Sequence, residues 1–285
     1  MQKGAQYQAV WELISEIFKD KIPADNIINA YVRERKYIGS KDRRFITETV
    51  WKIIRNRRKL VFDAGSNEPR RVLLTYLQDE DFDLLCGGEY GLAPLSKEEK
   101  EWLKRRNEEV YPAAVEAECP DWLFDKVKDI HLLKALNEPA SADLRLNKGS
   151  RARVIEQLQG EGLYFVPTPY SPIGIRSAER VNLNNCVAYK EGVIEVQDEA
   201  SQLAGILADV RPEHKIIDYC CGAGGKSLTM AFLMNRQGKI QIHDINRSRL
   251  EAVKERAVRL DVKNLEIIDE VGDRDYDRFV VDAPC

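Results

Sequence analysis

The stretch Ile216–Ser227, IIDYCCGAGGKS, holds the residues whose types and spacing point most directly to chemistry. An apolar run ends in an acid, Asp218, then breaks into a glycine-rich turn ending Gly225-Lys226-Ser227. Two ligands compete for such a turn. A nucleotide phosphate loop follows a strand with the pattern G-x-x-x-x-G-K-[ST], its backbone amides turned inward around the phosphates. The ending is present, and a later RFVVD could pass for the magnesium-binding acid of an NTPase, but Cys220 stands where the first glycine belongs.

S-adenosylmethionine makes a different demand. It carries no phosphate, so its loop needs only close backbone approach, which Gly222, Gly224 and Gly225 allow. It also needs a carboxylate at the end of the second strand to accept hydrogen bonds from both ribose hydroxyls. Asp244 in IQIHDIN stands there, eighteen residues beyond Lys226. Asp269 closes the third strand, within reach of an adenine amino group, and Asp282 closes the fourth, near the methyl group. Acids often cap helices and end strands for structural reasons alone. Four strands that each end in an acid at one sheet edge favour the methyl donor.

The elements that must position these residues follow from periodicity. Up to about Leu136 the chain reads as helix. Val10, Leu13, Ile14, Ile17 and Phe18 recur at helical spacing. Ser40 can cap a helix running to about Leu60, with the stripe Phe45, Ile46, Thr49, Val50, Ile53, Ile54. Ser96 and Glu99 form a capping box. From Ala140 to Asp198 we expect a small α+β module: ADLRLN as strand, SRARVIEQLQGEG as helix, and VAYKEGVIEVQD as a hairpin turning at Glu191-Gly192. From residue 199 onward strands alternate with helical segments, the mark of a parallel, doubly wound sheet. Only about ten residues separate its third and fourth strands, short for a helical crossover, so an extended link is expected there.

VQDEASQL, DYCCGAGGKS and VVDAPC, in this order and at these distances, resemble the RsmB/Sun family of RNA cytosine-5 methyltransferases. YIGSKDRRFI at Tyr37–Ile46 resembles that family's helical, NusB-like RNA-binding extension. Many members carry proline in the turn where this chain has Ala223. The resemblance implies an α/β fold: a Rossmann-like class I methyltransferase sheet at residues 199–285, preceded by an all-α NusB-like domain at 1–136 and an RRM-like module at 140–198. It implies S-adenosylmethionine as cofactor, held by Cys220, Cys221, Gly222, Ala223, Gly224, Gly225 and Lys226 with Asp244, Asp269 and Asp282. Asp273 is close enough to serve in place of Asp269. The expected product is 5-methylcytosine in RNA, with small-subunit ribosomal RNA as substrate. Enzymes of this kind add a cysteine thiolate to carbon 6 of cytosine, which activates carbon 5 towards the methyl group. Cys285 matches the D-A-P-C cysteine, which aids release of product. The nucleophile's loop follows strand five and has no counterpart here, so we expect a truncated chain, inactive alone.

Composition narrows the remaining choices. Net charge is only −3, yet Tyr31–Leu60 carries eleven Lys and Arg against three acids. Arg43, Arg44, Arg55 and Arg58 lie off the apolar stripe and are candidate RNA contacts, with Tyr31, Tyr37 and Trp51 as candidate stacking partners. A solvated face, and core packing for Trp51, are the bland alternatives. Six cysteines without a C-x-x-C and three scattered histidines give no zinc-like spacing, so no metal is expected. No apolar run reaches transmembrane length, and the start lacks a signal-peptide core, so no membrane partner and a cytoplasmic location are expected. The rival functions are a non-catalytic RNA-binding protein derived from a methyltransferase and a P-loop NTPase. Binding of methyl donor, of RNA alone, or of Mg-ATP separates the three.

Overall fold

The structure, a computed structural model, describes every residue of the chain except 20, 106, 108, 179, 180, 273, 274, 284 and 285. It divides into two compact units, Met1–Pro139 and Ala140–Cys285.

The first unit is helical. Its core is built by α1 (Lys3–Ile17), α2 (Ala24–Glu34), α3 (Ser40–Arg55), α4 (Arg57–Ala64), α5 (Pro69–Tyr76) and α6 (Phe82–Leu85). Beyond them lie α7 (Lys97–Leu103), α8 (Ala113–Glu116), α9 (Asp121–Val127) and α10 (Ile130–Asn137). Val10, Leu13 and Ile14 of α1 meet Ile46, Val50 and Ile53 of α3 in one apolar cluster, every one of them fully buried. Each such side chain contributes roughly 1.5–3 kcal/mol through burial. The capping box of α7 forms as expected, with Ser96 and Glu99 exchanging side-chain bonds for each other's N–H.

The long helix from Ser40 to about Leu60 is corrected by the structure. Gly39, not Ser40, occupies the N-cap, and the helix breaks at Asn56. Asn56 leaves helical geometry, and its amide donates to the Lys52 carbonyl at 2.9 Å, closing the end of α3. Arg58 therefore belongs to α4. Its guanidinium donates to the Cys119 carbonyl and pairs with Asp121 at 2.9 Å, a tether within the unit.

The second unit starts with an antiparallel sheet of order β2-β3-β1-β4: β1 (Ala142–Leu146), β2 (Val166–Pro167), β3 (Gly174–Ser177) and β4 (Ile194–Val196). Helix α11 (Arg151–Gly160) follows β1 and packs Val154 and Leu158 into its core. The hairpin expected at Glu191-Gly192 is not formed. Val187–Lys190 is a helical turn, α12, leading directly into β4. The Glu161 carboxylate accepts from the Val187 and Ala188 N–H groups at 2.7 and 3.2 Å, capping this turn from a distant part of the chain.

Helix α13 (Glu199–Leu207) then leads into a parallel sheet of order β7-β6-β5-β8. Its parts are β5 (Lys215–Asp218), α14 (Gly225–Leu233), β6 (Lys239–Ile242), α15 (Arg247–Arg259), β7 (Leu265–Ile267) and β8 (Arg278–Val280). Ile216, Ile240 and Ile242 pack against Leu228, Met230, Leu250 and Val253 of the two crossover helices. No helix occurs among the described residues between β7 and β8.

Charged groups join β1 and β3 of the first sheet to α13. Asp143 of β1 accepts from Arg176 Nε and Nη2, both at 2.7 Å, and from the Glu199 N–H at 3.1 Å. Burial works against its ionisation, but Arg176, Ser141 and the Glu199 N–H outweigh it and hold the carboxyl below its ordinary range. A depressed carboxyl adds stability above its unfolded pKa and loses it as pH falls through the folded one. Asp143→Ala should cost about 3 kcal/mol at neutral pH. In denaturant titrations the gap to wild type should narrow as pH drops below about 4.

Candidate active site

Strand β5 is flanked by β6 on one side and β8 on the other, so the chain departs to opposite sides at the carboxyl ends of these strands. In parallel sheets this divergence opens a crevice. Here it is a cavity of about 920 Å³.

The glycine turn forms its floor. The Cys221 N–H donates to the His243 carbonyl at 3.0 Å, and the Gly224 N–H folds back to Cys221 O at 2.9 Å. Gly222 (φ +55°) and Gly224 (φ +80°) both adopt left-handed backbone. The two differ in their surroundings. A Cβ on Gly224 would lie 2.7 Å from Val253 Cγ1, whereas one on Gly222 would meet open space. Cys220, Cys221, Gly222, Ala223, Gly225 and Lys226 line the cavity, while Gly224 lies against α15.

The strand-ending acids take four different places. Asp244 lines the cavity and is 9% exposed. Its carboxylate accepts from the Asn246 and Gly222 N–H groups, both at 2.8 Å. The Asn246 bond, then the Gly222 bond, with Arg249 and His243 nearby, hold the group below the ordinary carboxylate range against the effect of burial. It is ionised at neutral pH and each oxygen retains a lone pair for a further donor. Asp218 is 1% exposed; burial pushes its pKa up, against the hydrogen bond it accepts from Ser227 Oγ at 2.6 Å. Asp282 forms an ion pair with Lys226 at the cavity wall. Asp269 instead pairs with the exposed Arg247 at 2.7 Å and is not part of the lining. Asp273 and Cys285 lie outside the described residues.

This arrangement bears on the rival ligand and on the cysteines. A phosphate loop presents its terminal Ser hydroxyl to magnesium. Ser227 is fully buried and donates to Asp218, so that role is taken. Burial, with Asp218 and Asp244 adding, pushes the Cys221 thiol up to about 12. It stays protonated and is no nucleophile at neutral pH. Among the described residues no group of three or more His, Cys, Asp or Glu side chains could hold a metal, and no helix is long and apolar enough to cross a membrane.

Several lining residues escape a reading based on strand ends. Gln197 comes from the segment between β4 and α13, His243 from the end of β6, and Arg249 and Arg256 from α15. The VQDEASQL motif was the available signal for Gln197, but a motif carries no direction for its side chains.

Comparison with known proteins agrees with this geometry. Residues 205–285 match the family model described as 16S rRNA methyltransferase RsmB/F. Through this segment the chain is similar to the RsmB/F family. The "Probable ribosomal RNA small subunit methyltransferase B" of Bacillus subtilis (strain 168) is 26% identical over 189 residues, covering 60% of this chain and 42% of that protein. The "Ribosomal RNA small subunit methyltransferase B" of Pseudomonas syringae pv. tomato is 28% identical over 193 residues, covering 65% and 40%. The chain thus spans about two fifths of the length of these relatives. Among solved structures, PH0851 superposes with a TM-score of 0.72 at 18% identity, over 99% of this chain and 74% of that one. NSun6 from Pyrococcus horikoshii, solved with SFG, has a TM-score of 0.53 at 18% identity, over 58% and 71%. These two share the fold.

In the glycine turn the two left-handed residues should respond differently to a methyl group. Gly222→Ala adds only left-handed strain, about 1–2 kcal/mol. Gly224→Ala adds the Val253 collision and should cost about 2–4 kcal/mol. Equilibrium unfolding of the two variants measures the difference, and equal losses would mean that α15 yields to the new methyl group.

Proposed function

We propose that the protein is an S-adenosylmethionine-dependent methyltransferase that forms 5-methylcytosine in RNA, with small-subunit ribosomal RNA as substrate and the cytoplasm as location. The observation that carries this reading is the Asp244 carboxylate, ionised, nearly buried and fixed by two N–H groups beside a left-handed glycine turn. That is a ready acceptor for a vicinal hydroxyl pair. The RsmB/F match over the same residues supports the reaction class, and the SFG in NSun6, an analogue of S-adenosylmethionine, supports the ligand class.

The residues fit the methyl donor. When bound, S-adenosylmethionine supplies an electrophilic methyl group. The turn Cys220–Lys226 allows close backbone approach, and Asp244 orients the ribose. Asp282, held in place by Lys226, marks the side from which the pyrimidine enters. Asp269 reaches the adenine once Arg247 releases it. Cys285 has the place of the cysteine that aids product release.

The helical unit, as a NusB-like domain over residues 1–136, supplies RNA contacts, and the RRM-like module of 140–198 leads into the methyltransferase segment 199–285. Of the four candidate arginines, Arg44 pairs with Glu48 at 2.8 Å and Arg55 lies over the Trp51 ring. Arg43 donates to the Ile38 carbonyl at 2.8 Å, and Arg58 is tethered to Cys119 and Asp121. Of the three candidate stacking aromatics, Tyr37 is 73% exposed, while Tyr31 is buried with its hydroxyl on Glu12 and Trp51 packs against the core.

Calorimetry should find S-adenosylmethionine binding to this chain and a loss of about 10- to 100-fold in Asp244→Ala, the worth of charge-assisted hydrogen bonds. Tight Mg-ATP binding without donor binding would reject the methyltransferase reading.

Arg44→Glu with Arg55→Glu removes two candidate phosphate contacts and spares the Arg58 tether. The salt dependence of RNA affinity should then become shallower by roughly 0.7 log units per lost contact on single strands. An unchanged slope would mean that this face of α3 is only solvated.

A further inference from the structure

The helical unit holds a cavity of its own, of about 1100 Å³ and mostly apolar lining. One face of α1 lines it: Gln2 at the N-cap, then Ala5, Gln8, Ala9 and Glu12, at spacings of three and four residues. Tyr31 and Tyr37 come from α2 and the turn after it, and Tyr90, Gly91 and Ala93 from the loop after α6. Tyr37 is 73% and Tyr90 69% exposed. Large apolar patches are seldom left open on a monomer without a partner to cover them. Trp11 of α1 also lines the cavity, and its buried indole N–H has no acceptor among the described residues. An N–H buried in that state is costly, so the group calls for one.

Close contacts fix the shape of this cavity. A Cβ on Gly4 or on Gly91 would lie 2.9 Å from the Leu85 carbonyl oxygen, so α1 and the loop meet backbone to backbone. The Leu92 N–H donates to Leu85 O at 3.0 Å, and the Gly87 N–H to Leu92 O at 2.8 Å. Arg70 donates to the Ala93 and Pro94 carbonyls at 2.9 and 3.3 Å and pairs with Glu99 at 2.6 Å. The charges of the lining then decide what can enter. Its two cations are engaged: Arg70 with Glu99, and the Met1 amine with Asp42 at 3.0 Å. Arg35 lies over the Tyr31 ring and faces Glu12 at 3.8 Å. Glu89, in contrast, lines the cavity with no ion pair among the described residues. The segment 79–90 that leads into this loop carries five acids and no Lys or Arg. The open charge is therefore negative, which repels a phosphate chain and attracts a basic peptide.

We propose that this cavity docks an amphipathic helix of a basic partner protein. Its apolar side chains fill the hollow, its Lys or Arg residues face Glu89, and one of its carbonyl groups accepts from the Trp11 indole. The α1 face from Gln2 to Glu12 is roughly 15 Å long, the length of a helix of about ten residues. The small side chains of Ala5 and Ala9 let such a helix approach α1 closely, in the manner of a helix laid in a groove. The site is independent of the ligand held by the parallel sheet.

The test titrates the whole chain with three probes: an amphipathic helical peptide of Leu and Lys about four turns long, its Leu and Glu counterpart, and a short single-stranded RNA. The indole N–H resonance of Trp11, assigned by its loss in Trp11→Phe, reports on the cavity. It should shift with the Leu and Lys peptide and stay in place with the other two probes. Ala5→Trp, which fills the hollow, should weaken that peptide at least about 10-fold. Glu89→Lys should weaken it about 3- to 10-fold. Glu89 is exposed, so this second variant reads the site without disturbing the core. A Trp11 shift with the RNA makes the cavity a nucleic-acid surface and overturns the proposal. Equal binding of the two peptides, no response to any probe, or unchanged affinity in both variants overturns it too. Sedimentation of the chain alone tests the remaining occupant: a dimer that Ala5→Trp dissolves would mean that a second copy covers the cavity, and the basic partner would be rejected.

Discussion

The hydrogen bond from the Gly222 N–H to the Asp244 carboxylate ties the first turn of the parallel sheet to the end of its second strand. Much of the site depends on it. With Gly222 held there, the chain must reverse through two left-handed residues, and only then can α14 begin at Gly225 under the cavity. The same bond helps keep Asp244 ionised despite its burial, so a structural contact sets the charge of a cavity-lining group. The neighbouring Cys221 N–H to His243 carbonyl bond repeats the tie one residue earlier.

A second constraint acts from beneath. Arg145 is fully buried near Arg236, Arg256 and Arg259, with the Glu195 carboxylate as the opposing charge. Burial lowers the Arg145 pKa to about 10, with Glu195 opposing and the other arginines adding, and the group is still charged at neutral pH. Arg259 and Arg256 of α15 both reach Glu195 of β4, so the cluster binds the first sheet to a crossover helix of the second. Buried pairs of this kind return little net stability, because desolvation offsets most of the attraction. Their effect is placement. Glu195 lies two residues before Gln197, and Arg145 bonds the Gln197 side chain directly.

The buried acid Asp218 shows how one residue type can serve opposite ends. Asp244 and Asp218 both end strands of the same sheet edge, yet one is held below its usual pKa and the other is raised. The difference lies in donors. Asp244 receives two backbone N–H groups, whereas Asp218 has one hydroxyl from Ser227 and an oxygen without a partner. The Ser227 bond also removes the hydroxyl that a nucleotide site would need.

What the sequence by itself determined is local. The helical stripe of Val10, Leu13 and Ile14, the capping box at Ser96, the alternation of strands and helices after residue 199, and the glycine turn all follow from neighbours within one or two helical turns. The acids at strand ends were legible as well, since a β-strand ends where its apolar run ends. Only the tertiary structure decided how those acids differ, because side-chain partners come from other elements: Asp269 is taken by Arg247 and Asp282 by Lys226. It also turned Val187–Lys190 into a helix through Glu161. The break after α3 was a weaker local signal, an Asn that bonds its own helix. The direction of the Gln197 side chain could not be read from VQDEASQL at all. It is set by Arg145, far away in sequence, and a hydrogen bond between distant residues has no periodicity to betray it.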